Sequence, residues 1–415
     1  MPPFLSWETL ASATTKIAKQ PVPPRAGAGR NGRAMRRARL QASVIGELER
    51  AGFVYDTGEG LLRLPAATDP KELVRRLHAL HRQSVLAKNA AFLDKWEDRL
   101  IEDFADGSEV DPAAIQPVIE PVDSEYERSL FRFATLHWSV PVSQGYGRRS
   151  RFLLRDAATG KLIGVFALGD PVFNLGVRDR LVGWNQQDRQ ERLYSVFDAY
   201  VLGAVGPYRQ LIGGKLIALC ALSNETAEFL IQKYDGTKTK IRGEEKSAAP
   251  VLITTTSSLG RSSIYSRLKY RDRWAYRSIG FTGGFGHFHF SDELFASLLE
   301  FLREEGHEVR GHKYGDGPNW RIRTIRKALD ELGLDGDLLR HGIKREVFVA
   351  PRAMGWRAFL RGESTHLHWL DYPLDDLSEF WRGRWGIPRG KRDESYRNFK
   401  RDSLRLAPSL ESNPG

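Results

Sequence analysis

Cysteine is nearly absent from this sequence, and methionine is scarce, with one Cys and three Met in 415 residues. A single cysteine excludes an internal disulfide framework and any zinc site built on a cysteine cluster. That residue, Cys220, lies in the apolar run 216–222 and reads as a small core hydrophobe rather than a nucleophile. No apolar run approaches the roughly 18 residues that span a bilayer, so no membrane partner is expected. Residues 1–20 lack the apolar stretch of a signal peptide, because Ser, Thr, Lys and Glu interrupt them. A cytoplasmic location is the expectation. Also missing are a Walker loop, an HExxH metalloprotease motif and the serine elbow of hydrolases.

What is present is positive charge, concentrated at the ends. The formal net charge is +11. Residues 1–39 carry eight Lys/Arg against the single acid Glu8, and residues 381–405 carry nine against Asp393, Glu394 and Asp402. The body between them is close to neutral, which points to polyanion-binding arms, with DNA as the expected partner. Solvated tails are the plainer alternative.

Composition and periodicity divide the chain into four parts. Residues 1–34, rich in Pro, Gly, Ala and Arg, read as a disordered basic arm. Residues 35–128 read as a helical N-terminal region, with helices over 36–51, from Asp69-Pro70 onward, and over 91–104. A hairpin over 53–64 is possible within it. Residues 129–290 read as an α/β core, in which runs 151–155 and 162–168 are strands joined by the turn Asp156-Ala-Ala-Thr-Gly160. Further strands are expected at 195–202 and 250–256, with one helix over 213–233. Residues 291–415 read as helical, ending in a basic, aromatic segment.

The core order (hairpin, strand, glycine turn, helix, strand) resembles that of the GNAT acetyltransferases, so the fold class is α/β with a GNAT-like mixed sheet. The turn Val205-Gly-Pro-Tyr-Arg-Gln-Leu-Ile-Gly-Gly-Lys215 resembles that family's pyrophosphate-binding turn. Gln210 and Gly213 match its pattern, followed by Gly214, but Lys215 stands where the family has a small residue. Weak acetyl-CoA binding at most is expected, and the turn is either an anion site or a packing turn. No cofactor is assigned.

Four phrases are too unusual to be filler: Trp138-Ser-Val-Pro-Val-Ser-Gln-Gly-Tyr-Gly-Arg-Arg149, Gly169-Asp-Pro-Val-Phe173, Asp198-Ala-Tyr-Val-Leu-Gly-Ala-Val205, and Thr254 to Tyr265 leading into Gly280-Phe-Thr-Gly-Gly-Phe-Gly-His-Phe-His-Phe290. At these residues the sequence resembles the DruA proteins of Druantia anti-phage defence systems. The resemblance implies a bacterial defence protein that cooperates with other Druantia components, including a large helicase-like protein. It brings no catalytic residue set with it.

Residue chemistry supplies the candidates. Thr255, Ser257, Ser258 and Arg261 combine hydroxyls, turn N–H groups and a cation at a strand end, which suits phosphate, although Thr also favours strands and Ser the turns after them. Arg148, Arg149 and Arg151 beside Tyr146 form a cationic, stacking patch. Asp170, Asp179 and Asp198 are candidate carboxylates for a divalent cation, or else turn and ion-pair residues. His287 with His289, and His366 with His368, alternate as strand residues do, but two histidines make no zinc site. In the tail, Trp381, Trp385, Arg389, Lys391 and Arg392 interleave rings with cations. They either stack on bases and neutralise phosphates, or turn the rings inward as packing.

Overall fold

In a computed structural model, residues 30–142, 145, 147–238, 243–245, 248–308, 320–334 and 336–406 are described. Most of the expected N-terminal arm, and Tyr146, lie outside them. One seven-stranded sheet organises the molecule. Its strands are β1 (Pro117–Pro121), β2 (Arg149–Asp156), β3 (Leu162–Gly169), β4 (Val196–Ala204), β5 (Leu252–Thr256), β6 (Arg277–Phe281) and β7 (Glu346–Pro351). They lie side by side in the order β6-β7-β5-β4-β3-β2-β1. Only β4 and β5 run parallel; every other neighbouring pair is antiparallel. Seven helices matter below: α1 (Arg30–Arg50), α2 (Glu125–Leu136), α3 (Gly213–Cys220), α4 (Asn224–Tyr234), α5 (Asp292–Glu304), α6 (Trp320–Leu332) and α7 (Leu374–Trp381).

The β2–β3 hairpin forms as the turn residues predict. Gly160 closes it at φ 71, a backbone state that favours glycine, and its N–H donates to the Asp156 carbonyl at 2.7 Å. All eight β3 residues are buried, so this strand reads as a continuous apolar run instead of alternating. On one face Phe152, Phe166 and Phe197 pack against Leu216, Leu219 and Leu230 of α3 and α4. On the other, Leu153, Val165 and Val201 meet Leu130 and Phe133 of α2. Each such side chain contributes about 1.5–3 kcal/mol by leaving water. The single helix expected over 213–233 is two helices, because the Ser223 hydroxyl accepts the Thr226 N–H and starts α4 afresh.

The sheet draws on more of the chain than residues 129–290. Its edge strand β1 comes from the N-terminal flank, and β7, from the region expected to be helical, inserts between β5 and β6. Six residues, Glu346-Val-Phe-Val-Ala-Pro351, are too few to stand out between helices, yet four of them are buried. The remaining flanks combine in a second lobe. Val44 and Leu48 of α1, Phe53 beside the small hairpin Val54–Asp56/Leu61–Arg63, and Leu73 share a core with Leu298 of α5 and Ile325 and Leu329 of α6. Among the described residues no helix is long and apolar enough to cross a membrane.

Candidate nucleic-acid cleft

The parallel pairing of β4 and β5 covers only Val196–Asp198 against Leu252–Thr254. Beyond it no ladder joins the two strands. At the same point β4 gains a residue relative to β3: Ala167 pairs with Val201 but Leu168 with Ala199, which leaves Tyr200 as a bulge. The Thr255 hydroxyl donates to the Ala199 carbonyl at 2.9 Å, so a side chain replaces the missing ladder bond. This opening continues into a cleft of about 2940 Å³ walled by the sheet on one side and the helical lobe on the other.

One row of paired residues underlies the cleft, with Arg149 and Asp198 lining it. Arg149 on β2 pairs with Gly169 on β3, Gly169 with Asp198 on β4, and Asp198 with Thr254 on β5. Directly paired residues present side chains to the same face. Gly169 leaves a gap in that row, and the Tyr200 ring fills it. The Arg149 guanidinium lies 3.8 Å from the Tyr200 ring centroid, a cation–π contact. Asp198 accepts from the Thr254 hydroxyl at 2.7 Å. It is partly buried and lines the cleft, and desolvation pushes its carboxyl up to about 6, against the Thr254 hydrogen bond and the charges of Arg178 and Arg149. Two polar atoms of the floor, Arg149 Nε and Tyr200 Oη, are buried with no hydrogen-bond partner among the described residues.

Asp170 and Asp179 do not join Asp198. Asp170 accepts from Arg148 Nε at 2.7 Å, and Asp179 sits between Arg178 at 2.7 Å and Arg189 at 3.3 Å. Among the described residues no three His, Cys, Asp or Glu side chains gather as a metal site. Of the three candidate carboxylates, Asp170 and Asp179 take the ion-pair alternative and Asp198 lines the cleft.

The glycine turn at the start of α3 is tightly packed. A Cβ on Gly213 would lie 2.6 Å from the Tyr208 carbonyl oxygen, and the Gly213 N–H already donates to that oxygen at 2.9 Å. Lys215 donates from Nζ to the Ile264 carbonyl at 2.7 Å; burial, with Arg267 and Arg384 nearby, brings its amine down to about 8. Gly214 and Lys215 line the cleft, whereas the Gln210 carbonyl accepts from Arg389 Nε at 3.2 Å. Among the strand-end candidates, Thr255 and Ser258 line the cleft, Ser257 is buried with its N–H on the Glu346 carbonyl, and Arg261 is exposed.

The tail turns its rings inward and its cations outward. Trp381 is fully buried, and its indole N–H donates to the Ile212 carbonyl at 3.2 Å. Of the two readings open for Trp381, its burial against the turn before α3 is the packing one. Trp385 packs edge-on against Phe380 at 5.5 Å, with Lys215 Nζ 5.5 Å from its ring. Arg389 is half-buried and paired with Asp393, while Lys391 and Arg392 are exposed. In the cationic patch, Arg148 is tied to Asp170 and to the Tyr194 carbonyl; Arg151 is exposed, 5.6 Å from the Phe131 ring.

Of the far wall, His287 and His289 were legible in the sequence, but not His78 and His341. His287 and His289 do not occupy a strand; with His78 and His341 they line the cleft against Phe288, whose ring stacks on His78 at 3.9 Å. Burial brings His78, His287 and His289 down to about 4 and His341 to about 3. His78 Nδ1 donates to the Val74 carbonyl, leaving Nε2 to accept from Arg345 at 3.1 Å. His366 and His368 are exposed elsewhere. The dense run of rings at 285–290 was the one available signal for this wall.

The family model described as Druantia protein DruA matches residues 68–362. The chain is 42% identical over 391 residues to a Druantia protein DruA of Escherichia coli (strain UMEA 4076-1), an alignment covering 91% of this chain and 96% of that protein. No solved structure matches it. Together these place the four sequence phrases and the cleft they build in one family: the chain belongs to the DruA family of Druantia proteins.

Proposed function

We propose that this chain is the nucleic-acid-binding component of a Druantia defence system and that the cleft is where the strand lies. The observation that carries this reading is charge: among the described residues lining the cleft, ten Arg/Lys stand against five Asp/Glu. Arg180, Arg209 and Arg326 are exposed on that lining and make no ion pair among the described residues. Rings accompany them. Phe173, Phe281 and Phe285 are exposed at the cleft, and Arg326 lies 5.6 Å from the Phe285 ring. Cations that track a backbone and rings that stack on bases are what a single strand requires. The partners under this reading are DNA and, from the family resemblance, other Druantia components including a large helicase-like protein, inside the cytoplasm.

The scaffold supports a GNAT-like reading of the core. The succession of the β2–β3 hairpin, β4, a glycine turn, α3 and β5 fits that layout. Lys215 and the buried Trp381 speak for a scaffold that does not depend on acetyl-CoA. A second reading, an enzyme that modifies or cleaves DNA, has one observation in its favour, the raised acid Asp198 on an open floor.

The test is fluorescence anisotropy with labelled single-stranded DNA, duplex DNA and RNA across a salt series. Replacing Arg180, Arg209 and Arg326 with alanine should weaken binding and flatten the dependence of log affinity on log salt by about three phosphate contacts. Unchanged affinity and slope would remove the cleft from the account.

A further inference from the structure

The row Arg149–Gly169–Asp198–Thr254 has a chemistry that charge-tracking alone does not use. Arg149 and Asp198 sit two strands apart on one face, about 10 Å between backbones, with only the Tyr200 ring over the glycine between them. Arg149 has no ion pair among the described residues, and its Nε and Tyr200 Oη are without acceptor or donor. A buried donor left unpaired costs about 1–3 kcal/mol, and an oxyanion resting on the guanidinium completes it. We propose that the cleft floor binds one phosphate group on Arg149 and takes a proton onto Asp198 as it does so.

The coupling follows from the neighbours. With the floor empty, Arg149 and Arg178 favour the carboxylate, as does the Thr254 hydroxyl, and Tyr265 faces the same acid from the loop after β5. A bound phosphate occupies the Arg149 charge and adds a negative charge beside Asp198. Both effects raise the carboxyl above its starting value of about 6. Protonated, Asp198 gains an O–H that its cleft-facing oxygen can offer to the phosphate. Among the other groups lining the cleft, His78, His287 and His289 are brought down to about 4 and His341 to about 3, burial lowers His81 and His137 from the ordinary histidine value, Lys215 is brought down to about 8 and Tyr265 pushed up to about 12, so the comparison with Asp198→Asn, and not the slope alone, assigns the proton. The phosphate belongs either to a nucleic-acid backbone or to a free nucleotide; only the first source rests on the function proposed above.

The experiment is calorimetry of the full chain at constant ionic strength, from pH 5.5 to about 7.5, with a short single-stranded oligonucleotide, thymidine 5′-monophosphate and coenzyme A as separate probes. A single linked proton weakens binding by at most about tenfold per pH unit above the starting value. Asp198→Asn keeps an acceptor for Thr254 and stays neutral, so its affinity for the oligonucleotide, whose diester phosphates do not titrate in this range, should be independent of pH and exceed that of the unchanged protein at the alkaline end. For thymidine monophosphate and coenzyme A, whose monoester phosphates titrate near about 6, the slope is read as the difference between the unchanged protein and this variant. Arg149→Met keeps the apolar stem and should weaken binding by about tenfold or more. If Asp198→Asn retains the pH slope, or binds more weakly throughout with an unchanged melting curve, the proposal is overturned. If thymidine monophosphate or coenzyme A shows the signature and the oligonucleotide does not bind, the phosphate site stands and the nucleic-acid reading falls. If the oligonucleotide binds without either variant altering it, the reverse holds. No binding by any probe overturns both.

Discussion

The Tyr200 ring lies over Gly169, so that a Cβ built on the glycine would stand 3.2 Å from Tyr200 Cε1 and 2.7 Å from the Arg148 carbonyl oxygen. The glycine is what allows a ring to fill the middle of the Arg149–Asp198 row. Gly169→Ala should therefore destabilise the protein by about 1–3 kcal/mol, the range of overpacking, and should displace Tyr200. Urea unfolding reads the first effect, and the second appears as lost affinity at salt concentrations where the parent protein still binds. An alanine variant as stable as the parent would mean that Tyr200 does not hold this position.

Trp381 divides the tail into two experiments. Its full burial and its bond to Ile212 make Trp381→Ala a packing loss of about 3–5 kcal/mol, visible as a lower melting temperature. Lys391→Ala with Arg392→Ala, both exposed, should leave the melting temperature in place and reduce the salt slope. The opposite assignment of effects would show that the ring serves the ligand.

Asp179 is the partner of a fully buried cation. Arg178 is 0% exposed and donates to Asp179, to the Val172 carbonyl and to the Phe173 carbonyl. Removing the acid strands that charge, so Asp179→Ala should cost about 3–5 kcal/mol. Replacing both residues with apolar side chains should recover part of the loss. A double variant no better than the single one would contradict the account of an unpaired buried charge.

The histidine wall makes the helical lobe sensitive to acid. In the unfolded chain these rings protonate near 6.5, whereas folded His78, His287 and His289 hold out to about 4 and His341 to about 3. Their contribution is complete above 6.5 and is lost as pH falls toward those folded values, because the unfolded state binds more protons there. Asp198, raised to about 6, opposes this, since its folded state holds the proton longer. Four rings against one acid give a net loss of stability on acidification from about 6.5 to 4.5. Denaturant midpoints that stay level over that interval would show the rings to be better solvated than their burial implies.

Some of this was readable in advance and some was not, for physical reasons. The β2–β3 hairpin was legible because its turn sits at Asp156 to Gly160 and the runs on either side are strongly apolar. Strand β7 was not, because six residues between helices carry too short a period, and its place between β5 and β6 is a tertiary fact. Arg149 and Asp198 were each legible as charged residues beside strands. That they share a row across Gly169 was not, since it depends on the bulge at Tyr200 and on the register of β3 with β4 across the long connection 170–195. The same limit hid the cleft wall, where His78 meets Phe288 across a long stretch of chain.

The central claim is that nucleic acid lies in the cleft, and amide hydrogen exchange with and without a saturating single-stranded oligonucleotide tests it most directly. Bound strand should slow exchange in the strips 171–177 and 281–288, both of which line the cleft, and leave the tail around Lys391 less affected. Protection confined to residues 387–398, with both cleft strips unchanged, would contradict it.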